Sequence, residues 1–300
     1  MRTILVTGGT VFVSRYVAEY YAKKGDKVYV LNRNSRPQPD NTILIEGDRH
    51  NLGDKLKEYY FDVVIDVTAY TGEDVAALCD ALGEFQDYIL ISSSAVYPET
   101  NVQPFAEEQA IGENRIWGKY GTDKIEAETE LLKRVPRAYI LRPPYLYGPM
   151  NNVYREAFVF DCAMAERKFY LPKEGEMPLQ FFHVEDLCRF MDVLLEKKPK
   201  ANIFNVGNEE CVSIKEWVQL CYEAVGSKCE TVPVMEEINQ REYFSFYDYA
   251  YKLDVTRQKE LLPETKSLKE GLNESYTWYC NNRDKVNRKE YIKFIDENLA

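Results

Sequence analysis

Short apolar runs alternate with longer amphipathic stretches along the first 150 residues. Thr3-Ile-Leu-Val-Thr7 is strand-sized and almost wholly apolar, Gly8-Gly9-Thr10 is a turn signal, and residues 14–24 carry helical periodicity up to a stop at Gly25. The same reading predicts strands at 27–31, 42–46, 62–67, 88–92 and 138–141, with helices around 52–59, 72–82 and 119–134. Strands rich in Val and Ile that alternate with helices predict a parallel sheet covered on both faces. Beyond residue 150 the texture changes. Helices are predicted near 154–167, 184–195 and 214–225, a strand at 203–206, a loop or short strand in the Tyr-rich stretch 243–251, and helices at the C-terminal end. This predicts a second, interleaved lobe.

Composition narrows the class. Of 300 residues, 45% are hydrophobic and 29% charged, enough apolar matter for a real core and against wholesale disorder. Thirty-eight Lys and Arg against 49 Asp and Glu leave a net charge of −11, which repels a phosphate backbone and makes nucleic acid an unfavourable partner. No apolar run approaches the ~18 residues of a membrane span, and nothing resembles a signal peptide, so a cytoplasmic protein is expected. Seven scattered cysteines without a C-x-x-C pair read as buried thiols. With only His50 and His183 to join them, no metal is assigned.

The first strand-to-helix turn of such a sheet is where a dinucleotide pyrophosphate would sit, because glycines permit close approach and the helix start offers unpaired N–H groups. Gly8, Gly9, Thr10, Val11, Phe12 and Val13 occupy that turn. A full glycine pattern would place glycine at 11 and 14, where this chain has Val11 and Ser14, and a tight turn without ligand is the alternative reading. After the second strand, Asn32, Arg33 and Arg36 lean toward a 2′-phosphate and hence NADP over NAD. Asp48 is either an acceptor for an adenine amino group or a helix-capping residue, and Arg49 beside it is a further cofactor candidate. Tyr120 and Lys124, four apart on a predicted helix, share one face, so the ammonium lowers the phenol pKa into a range useful for acid/base work. With 23 tyrosines the spacing recurs at Tyr20 and Lys24. Tyr120 is set apart by lying about one helix after Ser92-Ser93-Ser94, at a strand's C-terminal end where such sheets bind ligands.

Taken in order, Thr7-Gly-Gly-Thr10, Gly47-Asp48, Ser92-Ser-Ser-Ala-Val-Tyr97, Tyr120 with Lys124, Arg142-Pro-Pro-Tyr-Leu-Tyr-Gly-Pro149, His183-Val-Glu-Asp186 and Asn205-Val-Gly207 resemble the extended short-chain dehydrogenase/reductase family, the NAD-dependent epimerase/dehydratase group. The resemblance implies an α/β fold: a Rossmann-type doubly wound parallel sheet over residues 1–150 plus about 179–206 and 243–254. It also implies a smaller substrate-binding lobe at about 151–178, 207–242 and 255–300. By it Tyr120 is the catalytic acid/base, Lys124 its pKa modulator and nicotinamide-ribose ligand, and Ser93 the holder of the reacting group. Ser92 is placed against the cofactor, and Ser94, Tyr145 and Arg241 against a sugar or nucleotide-sugar. His183, Arg142 and Tyr147 read as structural. Sugar dehydratases of the family carry an Asp-Glu pair where this chain has Ser94-Ala95, which disfavours 4,6-dehydration. Val11, Asn32-Arg33, Gly47-Asp-Arg49 and Leu179-Gln180 look more like the atypical branch that includes chloroplast stem-loop-binding proteins. Two functions follow as expectations: an NAD(P)-dependent epimerase or oxidoreductase on a sugar or nucleotide-sugar, or a non-catalytic binder of a nucleotide or RNA. A homodimer through the helices after Gly72 and Lys119 is the expected assembly.

Overall fold

Backbone hydrogen bonding follows the apolar runs. The computed structural model describes residues 1–300. In chain order the elements are β1 (Thr3–Thr7), α1 (Phe12–Lys23), β2 (Lys27–Asn32), β3 (Thr42–Glu46), β4 (Leu56–Asp66), α2 (Gly72–Ala81), β5 (Leu82–Ile91), α3 (Lys119–Arg134) and β6 (Tyr139–Arg142). There follow β7 (Tyr145–Tyr147), α4 (Glu156–Met164), β8 (Phe169–Pro172), β9 (Pro178–Leu179), β10 (Phe181–His183), α5 (Val184–Lys197) and β11 (Ile203–Asn205). The chain closes with β12 (Val212–Ser213), α6 (Ile214–Val225), β13 (Thr231–Val234), α7 (Thr256–Leu261), α8 (Leu268–Cys280) and α9 (Tyr291–Asn298).

The first compact unit comprises Met1–Pro144, Val184–Gly207 and Leu253–Glu264. Its seven strands run in the order β3-β2-β1-β4-β5-β6-β11, and every pairing is parallel. The chain winds outward from β1 to β3 and then crosses back to β4, so β1 pairs with both β2 and β4 and the winding direction reverses between them. That reversal opens a crevice at the carboxyl ends of β1 and β4. The sheet's centre is buried by the apolar runs of β1, β2, the second half of β4 and of β5, and β6: Leu5, Val64, Leu90 and Ile140 pack one face with Val75 and Leu78 of α2 and Ala127 and Leu131 of α3.

The second unit comprises Tyr145–His183, Asn208–Lys252 and Thr265–Ala300. Its core is aromatic, built from Phe158, Phe169, Phe181, Trp217, Phe244 and Phe246 among others, with Phe181 stacked on Trp217 at 6.0 Å between centroids. Short strand pairs (β7 with β10, β8 with β13, β9 with β12) and the capping boxes Ser213/Glu216 and Ser267/Glu270 hold its helices in register.

Several sequence expectations need correction. No helix forms at 52–59: Gly53 takes φ +53°, and the chain from Leu56 onward joins β4, pairing Leu56 with Leu82 and Phe61 with Phe85. Leu52, Leu56 and Tyr59 are spaced as on a helix, but sheet pairing decides the outcome. β5 accordingly begins at Leu82 rather than 88, while the Tyr-rich stretch 243–251 takes the loop alternative. The unit boundaries also differ: 145–150, 179–183 and 243–252 fall in the second unit, and 255–264 in the first. All seven cysteines are free, but Cys280 is exposed and Cys79, Cys211 and Cys229 only partly buried.

Candidate functional site

The turn after β1 is shaped by its glycines. Gly8 and Gly9 take φ +84° and +83°, where a side chain would be strained, and a Cβ on Gly9 would lie 2.5 Å from Val30. Val11, in the place of the second glycine, has ordinary extended backbone (φ −136°, ψ 136°), so the fold imposes no need for glycine there. Ser14, in the place of the third, is buried and donates its Oγ to the Val11 carbonyl at 2.9 Å. Phe12 takes φ +35°, a strained value for a non-glycine residue. α1 starts with no side-chain cap and no acidic residue in its first turn, so its leading N–H groups, around Thr10 to Val13, are suited to an anion. These features fit a dinucleotide pyrophosphate.

The groups beyond β2 are more committed than their sequence suggested. Asn32 donates to the Gly8 carbonyl (2.7 Å) and to Gln38 (2.9 Å), fastening the strand end to the glycine turn. Arg33 and Arg36 are exposed. Asp48 accepts the backbone N–H of His50 and caps the short 3-10 turn Arg49–Asn51, the capping alternative. Arg49 is not open to a ligand: its guanidinium lies 2.6 Å from Asp66, a fully buried carboxylate at the end of β4. Asp66 also accepts from Thr7 and Tyr88, both at 2.7 Å. Burial alone would raise the Asp66 pKa, but the Arg49 charge and these hydrogen bonds outweigh it and hold the group below its ordinary value. The pair braces the crevice from beneath, across β1 and β4.

Around α3 the predicted chemistry is brought together. Gly118 (φ +50°) redirects the chain into the helix, and Asn114 supports that entry by accepting from Ile116 and Trp117 while donating to the Tyr97 carbonyl. A Cβ on Gly121 would lie 2.5 Å from the Ala95 carbonyl oxygen, so this glycine lets the helix approach the turn that follows Ser93. Ser93 is half-buried and its Oγ caps that turn, accepting from Ala95 N–H at 3.1 Å, while Ser94 is buried. Tyr120 is 39% exposed; Lys124, one helical turn later, is 2% exposed and donates to the carbonyls of Ala69 (2.7 Å) and Ile91 (3.0 Å). Burial pushes the Lys124 pKa down to about 8, against the opposing pull of Asp66 and Glu128.

Ser92, expected against the cofactor, instead turns inward and donates to Glu128 at 2.5 Å. Glu128 lies a further four residues along the Tyr120–Lys124 face and pairs with Arg142 of β6 at 2.6 Å, both essentially buried. Arg142 also donates to Tyr97, whose hydroxyl donates to Asn205. One hydrogen-bonded network thus ties the end of β5 to α3, β6 and β11. Glu128, Asp66, Asn114 and Tyr70 were absent from the sequence-derived site; continuing the four-residue spacing would have found Glu128.

In the second unit, Tyr145 sits among Phe181, Phe246 and Tyr251 with the Arg155 guanidinium 5.4 Å above its ring. Burial raises its phenol pKa. Arg241 lies over Tyr247 at 4.7 Å and donates to the Ser245 carbonyl. His183 is fully buried against Tyr147, and burial together with Lys266 pushes its pKa down to about 3.

A doubly wound parallel sheet with a glycine turn at its switch point, and a phenol and a buried ammonium one helical turn apart on the helix after Ser93, defines a Rossmann-type fold with a candidate site at the carboxyl edge of its sheet. Residues 71–207 match the model of the NAD dependent epimerase/dehydratase family. It is 29% identical to the chloroplast stem-loop binding protein of 41 kDa b of Arabidopsis thaliana, over 92% of this chain and 78% of that one. It is 24% identical to the UDP-glucose 4-epimerase of Corynebacterium glutamicum, over 74% and 80% respectively. The structure of UDP-glucuronic acid 4-epimerase from Bacillus cereus, solved with UDP-glucuronic acid and NAD, is similar with a TM-score of 0.73 over 93% of this chain and 99% of that chain. At 19% identity that likeness establishes the fold. No helix is long and apolar enough to cross a membrane.

Proposed function

We propose that this chain is an NAD(P)-dependent epimerase or oxidoreductase acting on a sugar or nucleotide-sugar, with Ser93, Tyr120 and Lys124 as its working groups. The observation that carries this reading is the buried Lys124 ammonium one helical turn from a half-exposed phenol, at the carboxyl edge of the sheet. The relatives' names support the broader class, a sugar-nucleotide-modifying NAD-dependent enzyme.

The leading N–H groups of α1 would hold the dinucleotide's pyrophosphate, and Arg33 and Arg36 would favour the 2′-phosphorylated form. When bound, the cofactor supplies hydride exchange at its nicotinamide ring. Tyr120 gives or takes the proton of the sugar hydroxyl whose carbon is oxidised or reduced. Lys124, while charged, stabilises the phenolate, and Ser93 orients the reacting oxygen. With Ser94 and Ala95 in place of an acidic pair, elimination of water by that route is not expected. Because Lys124 loses its proton through about pH 8, kcat/KM is expected to fall as pH rises through that value.

Substituting Tyr120→Phe tests the assignment. Turnover should fall by about 100-fold or more, with cofactor affinity unchanged; unchanged turnover would remove Tyr120 from this role. The likeness to a protein named for stem-loop binding favours a second reading, a non-catalytic binder of nucleotide or RNA. The net charge of −11 weighs against its RNA form. A gel shift with structured RNA at near-physiological salt tests that RNA form, since binding there would support it and no binding would remove it.

A further inference from the structure

We infer that Tyr70 is a further residue of this site, a movable aromatic cover over Lys124 whose ring must leave before a cofactor ribose can reach the ammonium. The inference rests on the dinucleotide reading given above and adds to it a residue outside the family's serine, tyrosine and lysine.

An ammonium has three N–H donors and no acceptor. Two of those of Lys124 are spent on the carbonyls of Ala69 and Ile91, at the ends of β4 and β5. The ring of Tyr70, the residue after Ala69, lies with its centroid 4.9 Å from the Nζ. This is a cation–π contact with the same ammonium that the two carbonyls hold. Together these contacts explain why a lysine beside a 39% exposed tyrosine is itself only 2% exposed. A ribose hydroxyl that is to accept from Lys124 needs the remaining donor, and on this inference it reaches the ammonium only once the Tyr70 ring gives way.

Tyr70 is built to swing while its backbone stays fixed. Its N–H and that of Thr71 both donate to Asp74 Oδ2, at 2.8 and 2.9 Å, as part of the capping box that starts α2. The side chain, by contrast, is 52% exposed and contacts the Tyr120 ring at 6.3 Å. Rotation about its own torsions therefore uncovers Lys124 without disturbing β4 or α2. The position also fits a role in selection. Only a ligand that offers Lys124 a hydrogen bond in exchange for the aromatic contact displaces the ring at little cost, and a ligand lacking ribose hydroxyls there would lose that exchange.

The test uses the intact chain as wild type, Tyr70→Ala and Tyr70→Phe, with two readouts. In the first, reductive methylation by formaldehyde and cyanoborohydride is followed at Lys124 by peptide mass spectrometry, with exposed Lys133 as internal reference. Lys124 is expected to react slowly in wild type and Tyr70→Phe, and several-fold faster in Tyr70→Ala. In the second, NAD and NADP are titrated calorimetrically. Tyr70→Ala is expected to bind about three- to thirty-fold more tightly than wild type, the worth of the contact no longer broken, with Tyr70→Phe close to wild type. Equal protection of Lys124 in Tyr70→Ala would overturn the cover. Weaker cofactor binding by Tyr70→Ala would overturn it too, by making the ring a contact surface for the cofactor. If none of the three proteins binds either dinucleotide, the dinucleotide reading itself fails, an outcome distinct from normal binding with an unchanged Lys124.

Discussion

Lys124 carries a desolvation cost that its partners only partly offset. Its pKa is about 8 in the folded chain against an ordinary 10.5, so between these values the unfolded chain binds more protons and stability rises with pH. Below pH 8 the full penalty, about 3 kcal/mol, weighs on the folded state. Measured by urea unfolding against Lys124→Met, wild type should gain up to that amount as pH is raised from 8 toward 10.5. A constant difference would mean that the ammonium is not desolvated as the structure has it. Glu128 and Arg142 present the opposite case, a buried pair whose halves satisfy each other. Removing the charge in Glu128→Gln leaves Arg142 uncompensated and should cost about 3–5 kcal/mol by the same method. A loss below 1 kcal/mol would show that Arg142 finds another partner. The sequence made Tyr120 and Lys124 legible through helical spacing, but not the groups that hold them. Ser92 reads like its neighbour Ser93, and only the strand's alternation, which sends successive side chains to opposite faces, turns one toward Glu128 and leaves the other half-exposed.

Among the elements, α3 matters most because it carries the phenol, the ammonium and the buried carboxylate on one face. Its position is set by Gly121, where even a methyl group would meet the Ala95 carbonyl. Gly121→Ala should therefore push the helix from the turn after Ser93, costing about 1–3 kcal/mol of stability. It should also lower turnover more than the stability loss alone explains, measured under conditions where the variant remains fully folded. Full activity would show that the close approach serves packing only. The span of α3 was readable in the sequence, since a long amphipathic stretch has one dominant period. The span 52–59 was misread because three apolar residues spaced as on a helix also fit the start of a strand, and the pairing with Leu82 to Phe85 that decides between them is not local. The strand holding Asp66 was legible at 62–67, but the partner of its carboxylate was not, because the contact between Asp66 and Arg49 spans two elements and leaves no local pattern.

At the scale of the whole molecule, the doubly wound order puts its switch point where the glycine turn, the Arg49–Asp66 brace and the Lys124 carbonyl anchors converge. Alternation of strands and helices made this unit legible from its first 150 residues. The second unit was not, because its strands are two to four residues long and its aromatic core is assembled from three separated stretches of chain. Its elements therefore leave little periodic trace. The departures at Val11 and Ser14 raised the question of whether the turn still serves a dinucleotide, and the extended backbone at Val11 leaves the fold of the turn intact. The decisive measurement is a calorimetric titration of the purified chain, stripped of nucleotide, with NAD and then NADP. Micromolar binding of at least one is expected, with Tyr120→Phe binding equally well. Failure to bind either would contradict the enzymatic reading and leave Tyr120 and Lys124 as remnants in a protein of another function.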